Sequence, residues 1–238
     1  MGDSQVFIQE GRSPLEAVAD WYESCVLLRV GAVALAPISH GVTAVVDAGI
    51  MSGFAFLRRS RLRAFVNELT LLNLHPTENE VQSEEFLEAF LVAASKVVET
   101  KRREKIGLFS LLFRNYWQAG TYTPEAYDLY EEDLRIIYEL GYREFVVLSI
   151  LHKHEAGRPR ATSENPLQHA RKFWKSFQGE VKEQARLEAD ELEGYLQAIS
   201  RTGLYQPITG AYLDYEGGLG HLTQRFEKLK SKINYAPE

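Results

Sequence analysis

The chain has 238 residues, of which 45% are hydrophobic and 25% charged, and its net charge is −6. This composition is that of an ordinary globular protein and excludes disordered, collagen-like and disulfide-built chains. Its single cysteine, Cys25, cannot form an intramolecular disulfide, and the start at Met1 lacks the basic and apolar stretches of a secretory signal. We therefore expect a cytoplasmic location, with membrane association as the alternative. The acidic balance means that binding to nucleic acid or anionic lipid would need a local basic patch.

The first helix is predicted to begin at Ser13, because Pro14 follows as the first helical residue and Glu16 completes a capping box. Apolar residues then recur at helical spacing as far as Cys25, which we interpret as a small buried hydrophobe. The segment Val30–Leu57 carries one formal charge, Asp47. Because proline, glycine and polar residues interrupt it, we predict that it is buried core, with a membrane-active segment as the alternative.

A long helix is predicted after Gly41, and it becomes amphipathic at Arg58, where we expect it to leave the core. Four arginines follow closely here, and they are our candidate contacts for a membrane or an anionic ligand: Arg58, Arg59, Arg61 and Arg63. A solvated helix face is the alternative interpretation of the same cluster.

Helical spacing resumes from Ser83 to Gly120, with one interruption that predicts either a bent helix or two helices joined near Gly107. The interruption is a second candidate basic patch, formed by Lys101, Arg102, Arg103 and Lys105. Two further helices are predicted, from Thr123 to Gly141 and from Phe145 to Gly157.

The polar, proline-containing stretch 158–166 predicts a linker between a helical bundle domain, 1–157, and a C-terminal domain, 167–238. The second domain begins with helices capped at Asn165 and Asp190. Alternating residues at 204–209 and 211–215 then predict a hairpin, and a last helix runs from Leu222 to Ile233. We therefore predict a mainly α fold, in which a helical bundle precedes a small winged-helix-like α+β part.

Linear motifs for phosphate, dinucleotide, nucleophilic or zinc chemistry are absent from the sequence. His152 and His154 are two residues apart, so a helix directs them to different sides. We predict no catalytic, cofactor-binding or metal-binding residues and expect a non-enzymatic protein. An active site dispersed along the chain stays open as an alternative.

Two resemblances accompany these patterns. The order of helix, Gly203-Leu204, hairpin, Leu222-Thr223 and helix resembles the winged-helix arrangement over about 188–233. Residues 180–216 hold three basic against eight acidic side chains, a net charge of −5, which opposes DNA binding and favours an interaction module.

The segment Glu104–Asn115, with the helices after it, resembles uncharacterised bacterial proteins akin to the abortive-infection alpha family. That resemblance spans about residues 60–230, implies a phage-defence context and supplies no site residues.

Our first functional hypothesis is a bacterial interaction or regulatory protein that acts by self-association or by docking a protein partner. The second is a membrane-active effector that uses segment 30–57. The third is a DNA-binding transcriptional regulator that uses basic surfaces outside the acidic tail, such as those at Arg58–Arg63 and Lys101–Lys105.

Overall fold

A computed structural model of the chain describes residues 13–23, 43–209 and 218–233, with side chains from residue 55 onward in the second range. Within these residues the protein is mainly helical, with eleven helices and a small antiparallel sheet of two strands near the C-terminus. The coarse prediction of a mainly α fold with a small β element is therefore confirmed. Cys25 and residues 30–42 of the apolar segment lie outside the described residues. Two compact units make up the chain: unit 1 is Met1–Tyr138 and unit 2 is Glu139–Glu238.

Unit 1 is built from α-helices around a core of aromatic rings. Its helices are α1 (14–23), α2 (Thr43–Leu71), α3 (Glu78–Val81), α4 (Glu84–Glu99), α5 (Glu104–Ala119) and α6 (Pro124–Glu139). Phe65 of α2, Phe90 of α4 and Phe113 of α5 are fully buried, with ring centroids 5.6 to 6.0 Å apart. Two of the three pairs are edge-to-face, and such contacts add to the free energy gained by burying each ring. The rings therefore fix α2 against α4 and α5.

Two predictions for unit 1 are corrected by the structure. The helix α2 does not leave the core at Arg58, because Leu62, Phe65 and Leu69 beyond it are buried. The break before α5 lies at residues 100–103, where Thr100 takes an extended conformation, and Gly107 lies inside α5. The charged run at 101–105 thus marks the end of one helix and the start of the next.

Among its described residues, unit 2 combines five helices with the two-stranded sheet. Its elements are α7 (Tyr142–Ala156), α8 (Pro166–Arg171), α9 (Trp174–Ala185), α10 (Ala189–Ser200), β1 (Tyr205–Pro207), β2 (Gly220–Leu222) and α11 (Gln224–Ile233). Helix α7 packs against α9, α10 and β2 through buried residues such as Phe145 and Leu151. It therefore belongs to the C-terminal unit, and the segment 158–166 lies inside that unit. The exposed loop is tied to the C-terminal end of α8, since Arg158 donates to the carbonyl of Lys172, the residue after that helix.

The hairpin differs from its prediction in its second strand. Tyr205 pairs with Leu222 and Pro207 with Gly220, so the strand opposite β1 is 220–222. Residues 210–217, which include the predicted strand 211–215, lie outside the described residues. A side chain at Gly220 would place its Cβ 2.1 Å from the Tyr205 hydroxyl oxygen, so this strand position requires glycine.

Candidate functional site

A concave surface of unit 1 lies where α2 packs against the start of α5. We call it the arginine cleft, and its volume is about 500 Å³. Its lining consists of Phe56, Arg59, Ser60, Arg63, Ala64, Asn67, Glu68, Arg103 and Ile106. Volumes of this size are typical of ligand-binding clefts. The cleft brings together three arginines from the two basic clusters that the sequence separates by about forty positions.

Helical spacing explains which arginines of α2 reach the cleft. Arg59 and Arg63 are four residues apart and share one face of α2, whereas Arg61 lies on another face. Arg103 immediately precedes the first residue of α5 and is exposed. Because α2 and α5 are neighbours in the bundle, Arg103 lines the same cleft.

The arginines of the cleft differ in their partners. Arg59 Nε donates to Glu23 Oε2 at 2.6 Å, and the Glu23 side chain is only 10% exposed. This ion pair joins α2 to α1 and compensates one positive charge. The side chains of Arg63 and Arg103, in contrast, form no ion pair or hydrogen bond with any residue that the structure describes. These two guanidinium groups therefore supply the positive charge available to a ligand.

Other members of the predicted basic clusters have structural partners. Arg61 Nη1 donates to the Val98 carbonyl at 2.8 Å, near the C-terminal end of α4. Lys105 Nζ donates to the Tyr138 carbonyl at 2.7 Å, near the C-terminal end of α6. Cations at these positions satisfy carbonyls that a helix end leaves without an internal partner and interact favourably with the helix dipole. Arg61 and Lys105 are thus fold-stabilising residues.

The remaining basic residues of the clusters lie outside the arginine cleft. Arg58 lines a small apolar pocket with Tyr22, Leu62 and Val98. Lys101 and Arg102 are exposed in the turn between α4 and α5. Of the eight predicted contact residues, the structure thus assembles Arg59, Arg63 and Arg103 into one site and does not assemble the other five there.

Apolar side chains complete the cleft. Phe56 lies at its edge and is 70% exposed, whereas Ile106 is buried. The neighbouring Leu57 is also exposed. On the other side of Arg63 lies a smaller cleft of about 290 Å³, lined by carboxylates that include Glu16 and Asp20. Phe56 and Ile106 were not among the predicted site residues, because a single apolar residue carries no sequence signal of a position at a cleft.

Two side chains of α7 in unit 2, Glu155 and His152, have shifted pKa values. Glu155 accepts a hydrogen bond from the Leu222 backbone N–H at 3.0 Å. Burial raises the pKa of this carboxyl from 4.5 to about 7, against the lowering effect of the Leu222 bond. His152 contacts Lys230 and lies 3.4 Å from Glu227, and burial together with the positive charge of Lys230 lowers its pKa.

His154 faces a different element of unit 2. Its Nε2 donates to Glu180 Oε2 at 2.9 Å, and Lys153 donates to the other oxygen of Glu180 at 2.6 Å. The Lys153 and His154 bonds lower the pKa of Glu180. These contacts tie α7 to α9, while Glu155 and His152 tie α7 to β2 and α11. These polar residues of α7 therefore have a structural role, because they hold neighbouring elements of unit 2 together.

In the part of the chain that the structure describes, no three His, Cys, Asp or Glu side chains are close enough together to hold a metal ion. Nor does that part contain a helix of the length and apolarity needed to cross a membrane. The fold and site thus describe a helical two-unit protein with a basic, partly apolar cleft in unit 1. No family model, curated protein or solved structure matches this chain.

Proposed function

We propose that the protein is a non-enzymatic bacterial interaction protein that docks an acidic segment of a protein partner in the arginine cleft. The main support for this proposal is that two of the three arginines in the cleft have no ion-pair partner among the described residues. Arg63 and Arg103 are exposed and lack ion-pair partners among the described residues, although the net charge of the chain is −6. A carboxylate-bearing segment would supply the missing counter-charges and accept hydrogen bonds from the guanidinium groups.

The apolar residues of the cleft favour a peptide over a simple polyanion. Phe56 is largely exposed at the edge of the cleft, and Ala64 and Ile106 contribute to its wall. Aromatic and arginine side chains together are typical of the energetically important positions of protein interfaces. A segment that combines an apolar anchor with carboxylates therefore complements this surface better than a phosphate backbone does.

Unit 2 fits an interaction module with a winged-helix-like arrangement, which is the second part of our proposal. Helices α7, α9 and α10 contact one another, and α10 is followed by β1, β2 and α11. The first turn of α10 carries Asp190 and Glu191. Because a DNA-reading helix needs cations to meet phosphates, these carboxylates favour a protein partner. The resemblance to the abortive-infection alpha family supports a bacterial, phage-defence setting, and we propose a cytoplasmic location.

The test is fluorescence anisotropy with a labelled peptide of alternating glutamate and leucine, titrated with the full-length protein. We expect binding that weakens with salt. The double variant Arg63→Glu/Arg103→Glu should weaken it at least tenfold, a loss of about 1.4 kcal/mol. Lys101→Glu is the matched control, because Lys101 is exposed but does not line the cleft.

Two parallel titrations separate the other ligand classes. Duplex DNA and vesicles containing phosphatidylserine are titrated with the same wild-type and variant proteins. Peptide binding that is insensitive to the double variant would refute the proposal. Stronger binding to DNA or to the vesicles, lost in the double variant, would assign the arginine cleft to that ligand class and also refute it.

A further inference from the structure

On the basis of the proposed function, we infer that the partner of the arginine cleft is a second copy of this chain, which docks the outward face of its helix α6. The inference rests on two complementary surfaces of unit 1. One is the arginine cleft. The other is an exposed leucine of α6 with carboxylates around it, which we call the Leu129 face and define by Glu125, Asp128, Leu129 and Glu132.

The Leu129 face is continuous on the helix surface. Glu125 and Glu132 lie four residues before and three residues after Leu129, so they share its side of α6, and Asp128 is adjacent. Leu129 is 55% exposed, whereas the apolar residues Leu134, Ile136 and Ile137 of the same helix are buried. Glu132 also lies 3.7 Å from Arg135, while Glu125 and Asp128 are exposed carboxylates. An exposed leucine beside carboxylates is the combination that the arginine cleft complements.

The charges of the two surfaces are opposite and their apolar parts match. Arg63 and Arg103 would face Glu125 and Asp128, and Leu129 would contact Phe56. Electrostatic complementarity of this kind orients partners and suppresses contacts between like charges. Unit 1 contains 13 Lys and Arg against 19 Asp and Glu, so its overall charge repels another copy. Association therefore depends on placing the basic cleft against an acidic face.

The chain cannot fill its own cleft with this face, because α6 is anchored in unit 1. Tyr130 is fully buried and its hydroxyl donates to the Ala89 carbonyl at 3.1 Å. Leu134 and Ile137 are also fully buried, and Lys105 holds the carbonyl of Tyr138. These contacts keep the Leu129 face directed outward. Only the α6 of another molecule can present it to the cleft.

Such a contact joins different surfaces of the two copies. If both copies exchange it reciprocally, a two-fold dimer closes; if only one contact forms in a pair, one cleft and one Leu129 face stay free and association continues until a ring closes or a filament forms. Inactivating one surface in each of two molecules should therefore stop the assembly at a dimer. This property permits a test that an interface of one surface with its own copy would fail.

The experiment is sedimentation velocity of the full-length protein over a concentration series at low and high salt. Two variants are compared with wild type: a cleft variant, Arg63→Glu/Arg103→Glu, and a face variant, Asp128→Lys/Leu129→Lys. All four positions are exposed, and circular dichroism checks that each variant folds. We expect wild type to associate at low salt, and each variant alone to be monomeric with a dissociation constant raised at least tenfold.

The decisive sample is an equimolar mixture of the two variants. It should contain dimers and nothing larger, because the intact face of the cleft variant docks in the intact cleft of the face variant. The controls are Lys101→Glu and Leu71→Lys, which change an exposed cation and a leucine that is 75% exposed elsewhere on unit 1. Both should associate like wild type.

Three outcomes would overturn the inference. The first is a wild-type protein that is monomeric throughout, the second is association that survives in either variant, and the third is a mixture that stays monomeric. If the protein is monomeric but the glutamate-leucine peptide binds the cleft, the proposed function stands and only the second copy is wrong as the partner. If the cleft variant changes neither measurement, both proposals fail.

Discussion

Charged side chains serve different purposes in the two units. In unit 2, Glu155 and His154 of α7 bond to β2 and to α9, so these polar groups hold the unit together from inside. In unit 1, Arg61 and Lys105 hold helix ends in the same way, but Arg63 and Arg103 stand exposed at a cleft. The difference shows that charge density alone does not locate a site. The informative observation is which charges the fold already uses.

The largest expected effect is the loss of stability that follows from a cavity in the aromatic core of unit 1. This core fixes α2 against α4 and α5, and α2 and α5 form the arginine cleft. Phe113 of α5 is fully buried, 5.5 Å from Phe86 and 6.0 Å from Phe65 between ring centroids. We expect Phe113→Ala to lower the free energy of unfolding by about 3–5 kcal/mol, because the lost contacts leave a cavity. Urea denaturation measures the loss, and peptide-resolved hydrogen exchange locates it.

The exchange increase should fall within unit 1 and leave unit 2 protected, since the two units have separate cores. Phe56→Ala is the control, because this phenylalanine is largely exposed and its removal should change stability by about 0.5 kcal/mol or less. Equal loss of protection in both units would contradict the division of the chain into two compact bodies.

A smaller effect is expected from Glu155, whose charge unit 2 accommodates at a cost. Burial raises its pKa to about 7, so between about pH 4.5 and 7 the folded protein keeps a proton that the unfolded chain has lost. The protein therefore loses stability as the pH rises from about 4.5 to 7. Above pH 7 the full cost of the buried charge is present. Glu155→Gln removes the charge and retains an oxygen that can accept the Leu222 N–H.

We expect Glu155→Gln to stabilise the protein by about 1–3 kcal/mol at pH 8 and to have little effect at pH 5. Urea denaturation at the two pH values, with the difference taken between variant and wild type, cancels the other titrating groups. The exposed Glu183→Gln is the control. A variant that is less stable than wild type at pH 8 would show that the charged hydrogen bond to Leu222 outweighs burial.

Local signals in the sequence predict much of the helical architecture. Ser83 and Asn165 cap α4 and α8 as predicted, and their side chains accept the backbone N–H groups of Phe86 and Gln168. Capping is local chemistry, so a short stretch of sequence contains it. The pairing of Tyr205 with Leu222 is not local, and the alternating residues 211–215 offered a competing strand. The strand paired with β1 therefore differs from the predicted one, whose residues 211–215 lie outside the described residues.

The site could be predicted only in part, for the same reason. The four-residue spacing of Arg59 and Arg63 places them on one helix face, and the exposed start of α5 is marked by its charged run. That Arg103 joins them depends on the packing of α2 against α5, which no linear pattern contains. The polar, proline-rich composition of 158–166 signals exposure, and this exposed loop lies within unit 2, so such composition alone does not locate the division between the two units.

The smallest predicted effects separate the arginines that the fold uses from those it does not. Arg59→Gln removes the partner of Glu23, a carboxylate that is largely buried, and we expect a loss of about 1–2 kcal/mol. Arg63→Gln should change the free energy of unfolding by about 0.5 kcal/mol or less, because Arg63 has no ion-pair partner among the described residues. Each change removes one positive charge from the same face of α2. A difference in stability between the two variants therefore does not come from a difference in net charge.

Thermal and urea denaturation of the two variants measure this difference, and the peptide titration measures their binding. The double variant Glu23→Gln/Arg59→Gln serves as the control, because it replaces both partners of the ion pair and should recover part of the loss. Arg63 would then combine a small effect on stability with a large effect on binding, as expected of a side chain kept for a partner. Equal stability losses for Arg59→Gln and Arg63→Gln would mean that Arg63 also holds the fold together. Unit 1 would then use this charge as unit 2 uses its own, and the contrast between the two units would not hold for Arg63.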